Sequence, residues 1–473
     1  MSLILGAQSA VATGFTVDNS CRFDAATGAW MYRAQETPTG TGTKASFSCW
    51  LKQGKYMATG GYIGIQDFAA TSSFSIYENG GNISFNALNS SGYVGRRVTN
   101  AKLRDPGAWT HIFALWDSTE SVAADRMQLW VNGVLQTSLL VDTDPPLDQV
   151  LDCLDNSVVT RQLLFSYSYG GGSYFDGYQA EMAFCDGQAY APTDFGEFDE
   201  DSPTIWKPKD ISGLTFGDAG WHLDFGDSAS MGADVSGNGN DMTTVTNIAA
   251  INQCVDTPTN NFATFNAIDN YWQGFTYSEG NMTVTTTGFI SPALSTMGLT
   301  AGKWYFEAKA TDIHNIIGIQ GTQITATGQY LGNYANDWGY YGSNGNSYNN
   351  GSSTSYGDTY TTSDIIGVAV DLDNNKLYFS KTNVWQNSGV PTSGATGTGA
   401  LSIGAASATT PGYYLAGITS NTGSASTNNG NFGNPPYANS SDEADENGYG
   451  KFEYAPPSGY LAICTKNLGS DGG

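Results

Sequence analysis

The sequence predicts an all-β fold: two antiparallel β-sandwich domains of the jelly-roll type in tandem. Three observations predict it. The first is that two stretches, beginning 256 positions apart at residues 109 and 365, share one plan. WTHIFALW (Trp109 to Trp116) leads through a turn into DRMQLWVNG (Asp125 to Gly133). IIGVAVDLDNNKLYFSKTN (Ile365 to Asn383) has its turn at Asp373 to Asn375. Apolar residues that alternate with period two, closed by Asn, Asp and Gly, mark half-buried antiparallel hairpins. The second is length: 473 residues exceed the roughly 250 to 300 at which one hydrophobic core stops growing. The third is composition. Charged residues are 13% of the chain, aromatics another 13%, and there are 59 glycines. That mixture suits many short strands and turns, and the aromatic content argues against a disordered chain.

Strand signals follow one another from CRFDA and AWMYRA through SFSCWLK, YIGIQDF, FSIYE and ISFNAL, with turns at NGGN and NSSG. LDQVLDCLD, 147 to 155, places Leu147, Val150, Leu151 and Leu154 on one stripe behind two prolines, which predicts a short helix. QLLFSYS and YFDGYQAEMAFCDG resume the strands. Residues 191 to 215, with the acidic run EFDED and three prolines, read as a linker or as a strap over the first sandwich. WHLDF, 221 to 225, alternates again and is expected to return as a strand to the first sheet. The domain boundary is placed near residue 250, giving a lead at 1–17 and sandwiches at 18–250 and 251–473. In the second half, KWYFEAKATD, IIGIQG, YYLAGIT and GYLAIC are strands. Residues 328–360 are a polar, aromatic-rich insertion expected to act as a binding loop.

The net charge of −25 reflects 19 Lys and Arg against 44 Asp and Glu. A chain so poor in bases lacks the face that neutralises phosphates, so nucleic acid is excluded as a partner, and anionic membrane surfaces are repelled. Neutral sugars and proteins remain. No stretch approaches the roughly 18 apolar residues of a membrane span, so membrane insertion is not expected. The N-terminus lacks a basic n-region and a long apolar run, so a cytoplasmic site of synthesis and folding is expected. Six cysteines, at 21, 49, 153, 185, 254 and 464, include no C-x-x-C pair. Cys49 alternates in phase with Phe47 and Leu51, as a buried reduced thiol would. The even count leaves disulfides open.

The ordered series of motifs resembles two known families. CRFDAATGAWMYRA, SFSCWLK, WTHIFALWDST, DRMQLWVNG and YFDGYQAEMAFCDGQAYAPTDFGE are similar to the laminin-G or concanavalin A-like lectin domains of bacteriophage structural proteins. KWYFEAKA, IIGVAVDLDNNKLYFSKTNVWQNSG, YYLAGIT and NFGNPPY resemble a SPRY domain. The joint, DVSGNGNDM through NQCVDTPTNNF, is similar to the connector of marine-type phage tail-fibre proteins. The resemblance implies a tail fibre, capsid fibre or decoration protein, located on the virion once this has assembled in the host cytoplasm. It implies host-surface recognition through a glycan, contacts with other virion proteins, and a homo-oligomer, with a trimer favoured. Two alternatives stand beside this lectin role: a purely structural decoration protein and a glycan depolymerase.

No catalytic residue is expected. Glu197, Asp199 and Asp201 alternate in EFDED as the carboxylates of a glycosidase strand would, but the further acid is missing and prolines flank the run. Asp371 and Asp373 sit at a hairpin tip, where Asp caps backbone amides. Asp234 to Asp241 offers oxygens at loop spacing for calcium, without the bidentate Glu of an EF-hand, so turn chemistry is the expected role and no metal is assigned. Of the three histidines, His111 reads as a satisfied core or edge residue, His222 as outward-pointing and His314 as lying near a strand start. The expected ligand site is the insertion, through Tyr330, Tyr334, Trp338, Tyr340, Tyr341 and Tyr348. Their apolar faces and hydrogen-bonding tips suit stacking on neutral sugar rings. Packing of these rings on one another or on a neighbouring subunit is the alternative.

Overall fold

The computed structural model describes residues 14–471 apart from 37–39, 55–58, 68–70, 156–159, 165–172, 246, 270–273, 287–290, 324–325, 327 and 422–425. The chain forms two compact units, divided between Thr259 and Asn260. The division lies beyond residue 250 because the intervening chain still belongs to the first sandwich. Gln253–Cys254 pairs with Ser20–Phe23, and the Thr259 hydroxyl is bonded to both the N–H (3.1 Å) and the carbonyl (3.0 Å) of Val17. The expected lead at 1–17 therefore divides: 1–13 lie outside the described residues, whereas Phe15 and Val17 pack on the first sandwich.

The first unit is a sandwich of two antiparallel sheets. One runs Val134–Leu135, Met127–Val131, Trp109–Asp117, Lys44–Gln53, Gly177–Asp186, Ser20–Phe23 and Gln253–Cys254, with Trp221–Leu223 joined to Gly177–Asp186. The other runs Leu139–Thr143, Gly92–Lys102, Asn82–Asn89, Ser73–Asn79, Thr59–Asp67, Thr160–Leu164, Trp30–Glu36 and Thr243–Val245. Alternation sends Phe47, Cys49 and Leu51 inward against Phe74, Ile76 and Phe85 of the facing sheet. The NG turn after Met127–Val131 has both residues at positive φ, 49° at Asn132 and 72° at Gly133, the geometry that hairpin twist requires. Gly133 is also fixed by packing, since a Cβ there would lie 2.3 Å from the Trp206 ring.

Residues 190–216 form the strap. They lay Phe195, Ile211 and Phe216 over Phe113, Ala183 and Cys185, and Trp206 over Trp50, Trp109 and Tyr178. The first sheet is thus buried on both faces. WHLDF returns as expected: Trp221–Leu223 pairs with Gly177–Asp186, with Trp221, Leu223 and Phe225 in the core.

The predicted helix at 147–155 is corrected by the structure, which has only a single 3-10 turn, Asp152–Leu154. Asp148 adopts a left-handed φ of 55° and its N–H is donated to the Ser118 carbonyl, so the chain is held open where a helix would begin. Leu147, the first residue of the supposed stripe, is exposed.

The second unit is also a sandwich. One sheet runs Thr276–Ser278, Thr283–Thr285, Thr427–Asn431, Lys303–Lys309, Ile365–Asp371, Lys376–Lys381 and Val384–Trp385. The other runs Ala293–Leu294, Leu415–Ser420, Asn315–Gln320, Asp337–Tyr341, Asn346–Asn349 and Ser352–Ser355. Trp304, Phe306, Val368, Val370 and Phe379 of the first meet Ile317, Ile319 and Ile418 of the second. The described residues include one α-helix, Thr465–Asp471. The insertion at 328–360 is not a free loop: its last three strands extend the second sheet to its edge.

Candidate functional site

The six aromatics of the insertion divide between the two faces of that sheet. In Asp337–Tyr341, Trp338 and Tyr340 pair with Ile319 and Ile317 and point to the core. Tyr340 is fully buried, its hydroxyl donates to the Asp358 carbonyl, and its ring packs on Tyr356, Tyr360 and Phe379. These two are corrected from ligand residues to core, because once the segment is a strand, period two directs every second side chain inward. Tyr334 lies in the preceding turn, half-buried, its carbonyl accepting the N–H groups of Asp337 and Asn350, both at 3.1 Å.

Tyr330, Tyr341 and Tyr348 meet on the outer face, together with Leu294, Ile316, Leu331, Tyr413 and Leu415. Tyr348 stands edge-on to Tyr330 (6.0 Å, 85°) and to Tyr341 (5.7 Å, 80°), a favoured aromatic geometry. Tyr341 is buried and bonded to His314 Nδ1 at 3.0 Å. Tyr330 and Tyr348 remain partly exposed, and the exposed Asn344 amide donates to the Tyr348 hydroxyl at 3.0 Å. The cluster sits over a glycine row, since Gly417, Gly318 and Gly339 are register neighbours between Leu294 and Tyr348. A Cβ at Gly339 would lie 2.4 Å from Ile316 and 2.8 Å from the Leu331 carbonyl, so the row lets the 329–333 turn close onto the sheet. His314 and Tyr413 were not foreseen as members. Tyr413 carried a signal, because it alternates in phase with Leu415 in YYLAGIT.

Beside this face, Asp337 is buried between Gln320 Nε2 (3.5 Å) and the Gly321 N–H (3.3 Å), and burial lifts its carboxyl to about 6. On the other sheet of the same unit, burial lifts Glu307 to about 7, against hydrogen bonds from the Glu453 and Tyr454 N–H groups (2.9 Å each), the Tyr305 hydroxyl (3.0 Å) and Asn431 Nδ2 (3.2 Å).

The other candidate acids have structural employment. Asp199 caps the Asp201 and Ser202 N–H groups, chiefly the latter lowering its pKa, and Lys207 lies 3.4 Å from Glu197 and 3.5 Å from Asp199. Asp371 accepts from the N–H (2.9 Å) and Nδ2 (2.8 Å) of Asn374, and Asp373 accepts from the Gly302 N–H (2.9 Å). Asp234 accepts from the His222, Ser236 and Asn240 N–H groups and the Ser236 hydroxyl. Asn238 and Asn240 turn their amide N–H groups to carbonyls at 217–220. Four donors already fill the Asp234 oxygens, so the stretch does not fit calcium. Among the described residues no group of three or more His, Cys, Asp or Glu is placed to hold a metal.

His111 is fully buried and satisfied. Trp206 Nε1 donates to its Nδ1 (3.0 Å), which leaves the proton on Nε2 for Ser48 Oγ (2.8 Å), and burial lowers its pKa to about 3. His222 points away from the core as its phase indicates, yet it is buried. The strap stacks Phe216 on it at 5.8 Å, and its Nε2 lies 2.8 Å from Glu181. All six cysteines are buried and none forms a disulfide.

Residues 303–410 match the family model of the SPRY domain. The matched segment begins at Lys303–Lys309, ends before Leu415–Ser420, and lies within the second sandwich. No curated protein matches the chain. Among solved structures, a heptameric SAP-like pentraxin from Limulus polyphemus is similar at 15% identity over 37% of this chain and 78% of its own, with a TM-score of 0.28. A human SPRY domain is similar at 15% identity over 33% of this chain and 92% of its own (TM-score 0.24). The SPRY domain of human HERC1 is similar at 13% over 32% and 87% (TM-score 0.24).

Proposed function

We propose that the chain is a non-enzymatic recognition protein whose SPRY-like sandwich binds a neutral host-surface glycan at the outer face formed by Tyr330, Tyr348 and Tyr341. The observation that carries this is the half-exposed Tyr330–Tyr348 pair, braced edge-on by the buried Tyr341 and flanked by the Asn344 amide. It is a rigid, amphipathic, uncharged platform that orders little on binding. On the resemblance of its motifs to those of phage fibre proteins, we assign this role to a virion protein assembled in the host cytoplasm, in a homo-oligomer with a trimer favoured. The test is a glycan array probed with the native chain and with Tyr330→Ala/Tyr348→Ala. Binding by the native chain that falls at least about tenfold in the variant is expected, about 1.4 kcal/mol of stacking. An array on which neither binds overturns the reading.

A second reading, a purely structural decoration protein, is favoured by the burial of Tyr341 and Tyr413 within the cluster. Under it, Tyr330 and Tyr348 complete a contact with a neighbouring virion protein, and the same double variant lowers particle occupancy without altering any sugar interaction.

A further inference from the structure

We infer that the flank of the first sandwich spanning residues 120–148 is a docking surface for a basic, aliphatic-bearing extended segment of another protein. The inference stands on the first unit alone and does not rest on sugar binding by the second. Among the described residues twelve large hydrophobic side chains are exposed, and four of them fall within fourteen positions: Val134 (55%), Leu135 (39%), Leu140 (59%) and Leu147 (54%). Exposed aliphatics scattered singly need no explanation, but a concentration of them on one flank marks an interaction site.

The topology accounts for the concentration. Val134–Leu135 is the terminal strand of one sheet and Leu139–Thr143 the terminal strand of the other, so both sheets end on this flank. Leu139 pairs with Thr99 and Val141 with Val98, which makes Leu140 the extra residue of a bulge. A bulge blunts the edge against indiscriminate strand addition and re-aims the side chain it carries, here outward. Contact through side chains is therefore favoured over a continued ladder.

Charge selects the partner. From Asp117 to Asp148 the sequence has six carboxylates (117, 120, 125, 142, 144, 148) and one base, Arg126. Lys44 pairs with Asp117 at 2.9 Å. A single guanidinium, Arg97, answers both Asp142 (2.8 Å) and Asp144 (2.5 Å), which are 62% and 42% exposed. Arg126 gives its N–H groups to the carbonyls of Glu120, Ser121 and Pro145. With Arg96, the register partner of Thr143, the bases beside the stretch are four (Lys44, Arg96, Arg97 and Arg126) against its six carboxylates, an excess of two negative charges next to the aliphatics. A second copy of this flank would bring like charges together, whereas a segment interleaving Lys or Arg with Val, Leu or Ile satisfies both features.

The test uses the full chain and two labelled peptides of about ten residues and equal charge, one alternating Val and Lys and the other Ser and Lys, followed by fluorescence polarisation. The Val–Lys peptide is expected to bind at least about tenfold more tightly than the Ser–Lys peptide. Leu140→Ser and Val134→Ser are each expected to weaken the Val–Lys peptide several-fold, while Val384→Ser on the second unit leaves it unchanged. Hydrogen exchange should show protection confined to 120–148. Equal binding of the two peptides, or no effect of Leu140→Ser in a chain whose unfolding is unchanged, reduces the interaction to adsorption on an acidic protein and overturns the proposal. So does sedimentation showing a dimer of the chain alone that Leu140→Ser abolishes, since the occupant would then be a second copy.

Discussion

The two sandwiches share a hairpin plan but hide opposite kinds of titratable group. The first buries a histidine that is kept neutral, His111, between Ser48 and Trp206. The second buries carboxyls that resist ionising, Glu307 and Asp337. In both cases burial penalises the charged form, but the charged form of His111 appears on acidification and that of the carboxyls on alkalinisation. Two units of similar architecture should therefore answer acid in opposite directions, which lets each be followed separately within one chain.

The largest expected effect comes from a buried ion pair of the first unit. Lys52 and Asp256 form an ion pair at 2.7 Å with both side chains fully buried, and Trp109 Nε1 donates to the second Asp256 oxygen at 2.9 Å. Asp256→Ala leaves the ammonium among Trp109 and Tyr178 without its anion, and about 3–5 kcal/mol of first-unit stability is lost. Hydrogen exchange resolved by unit should report that loss in 14–259 and none in 260–471. An equal loss in both would break the separation between them.

The pH response comes next. The His111 pKa falls on folding from near 6.5 to about 3, so its contribution is complete above 6.5 and disappears as pH drops, at up to about 1.4 kcal/mol per pH unit. The Glu307 pKa rises on folding from 4.5 to about 7, so its contribution is complete below 4.5 and is lost as pH climbs to 7, and Asp337 acts the same way between 3.8 and about 6. Between pH 7 and 5 the first unit should weaken and the second strengthen in exchange-derived stabilities. Glu307→Gln sharpens this contrast: it should flatten most of the second unit's slope and leave the first unit's slope as it was. A slope unchanged in the variant would assign the effect to another group.

The smallest effect is expected at the surface. Lys451 stands 3.7 Å from the exposed Asp442. Lys451→Ala should change second-unit stability by less than about 1 kcal/mol at moderate salt.

Much of this fold was legible in the residues. Ile365–Asp371 and Lys376–Lys381 alternate cleanly because one face packs on the core, and NG at 132–133 marks a turn by its chemistry alone. The misreadings have a common source. Leu147, Val150, Leu151 and Leu154 satisfy helical spacing, but nothing local announces that Asp148 is tied to Ser118 across a turn. DWGYY at 337–341 loses its period-two contrast at Tyr341, because the outer face of that strand is itself covered by Leu331 and the 329–333 turn, so an apolar ring is buried there as well. His222 was assigned the correct side and the wrong exposure, for the strap that covers it arrives from residues 190–216. Of the six aromatics proposed for recognition, three gather on one outer face, two enter the core and one stays in a turn. Their identity was visible, whereas their division depended on the pleat.

The six buried thiols have a practical consequence. Five lie in the first unit, at 21, 49, 153, 185 and 254, and one, Cys464, in the second. With every sulfur shielded, an alkylating reagent can react only as fast as the surrounding strands part. Mass spectra of partially labelled chains would then time the opening of each half with a probe nature has already installed, one tag counting the later sandwich and up to five the earlier.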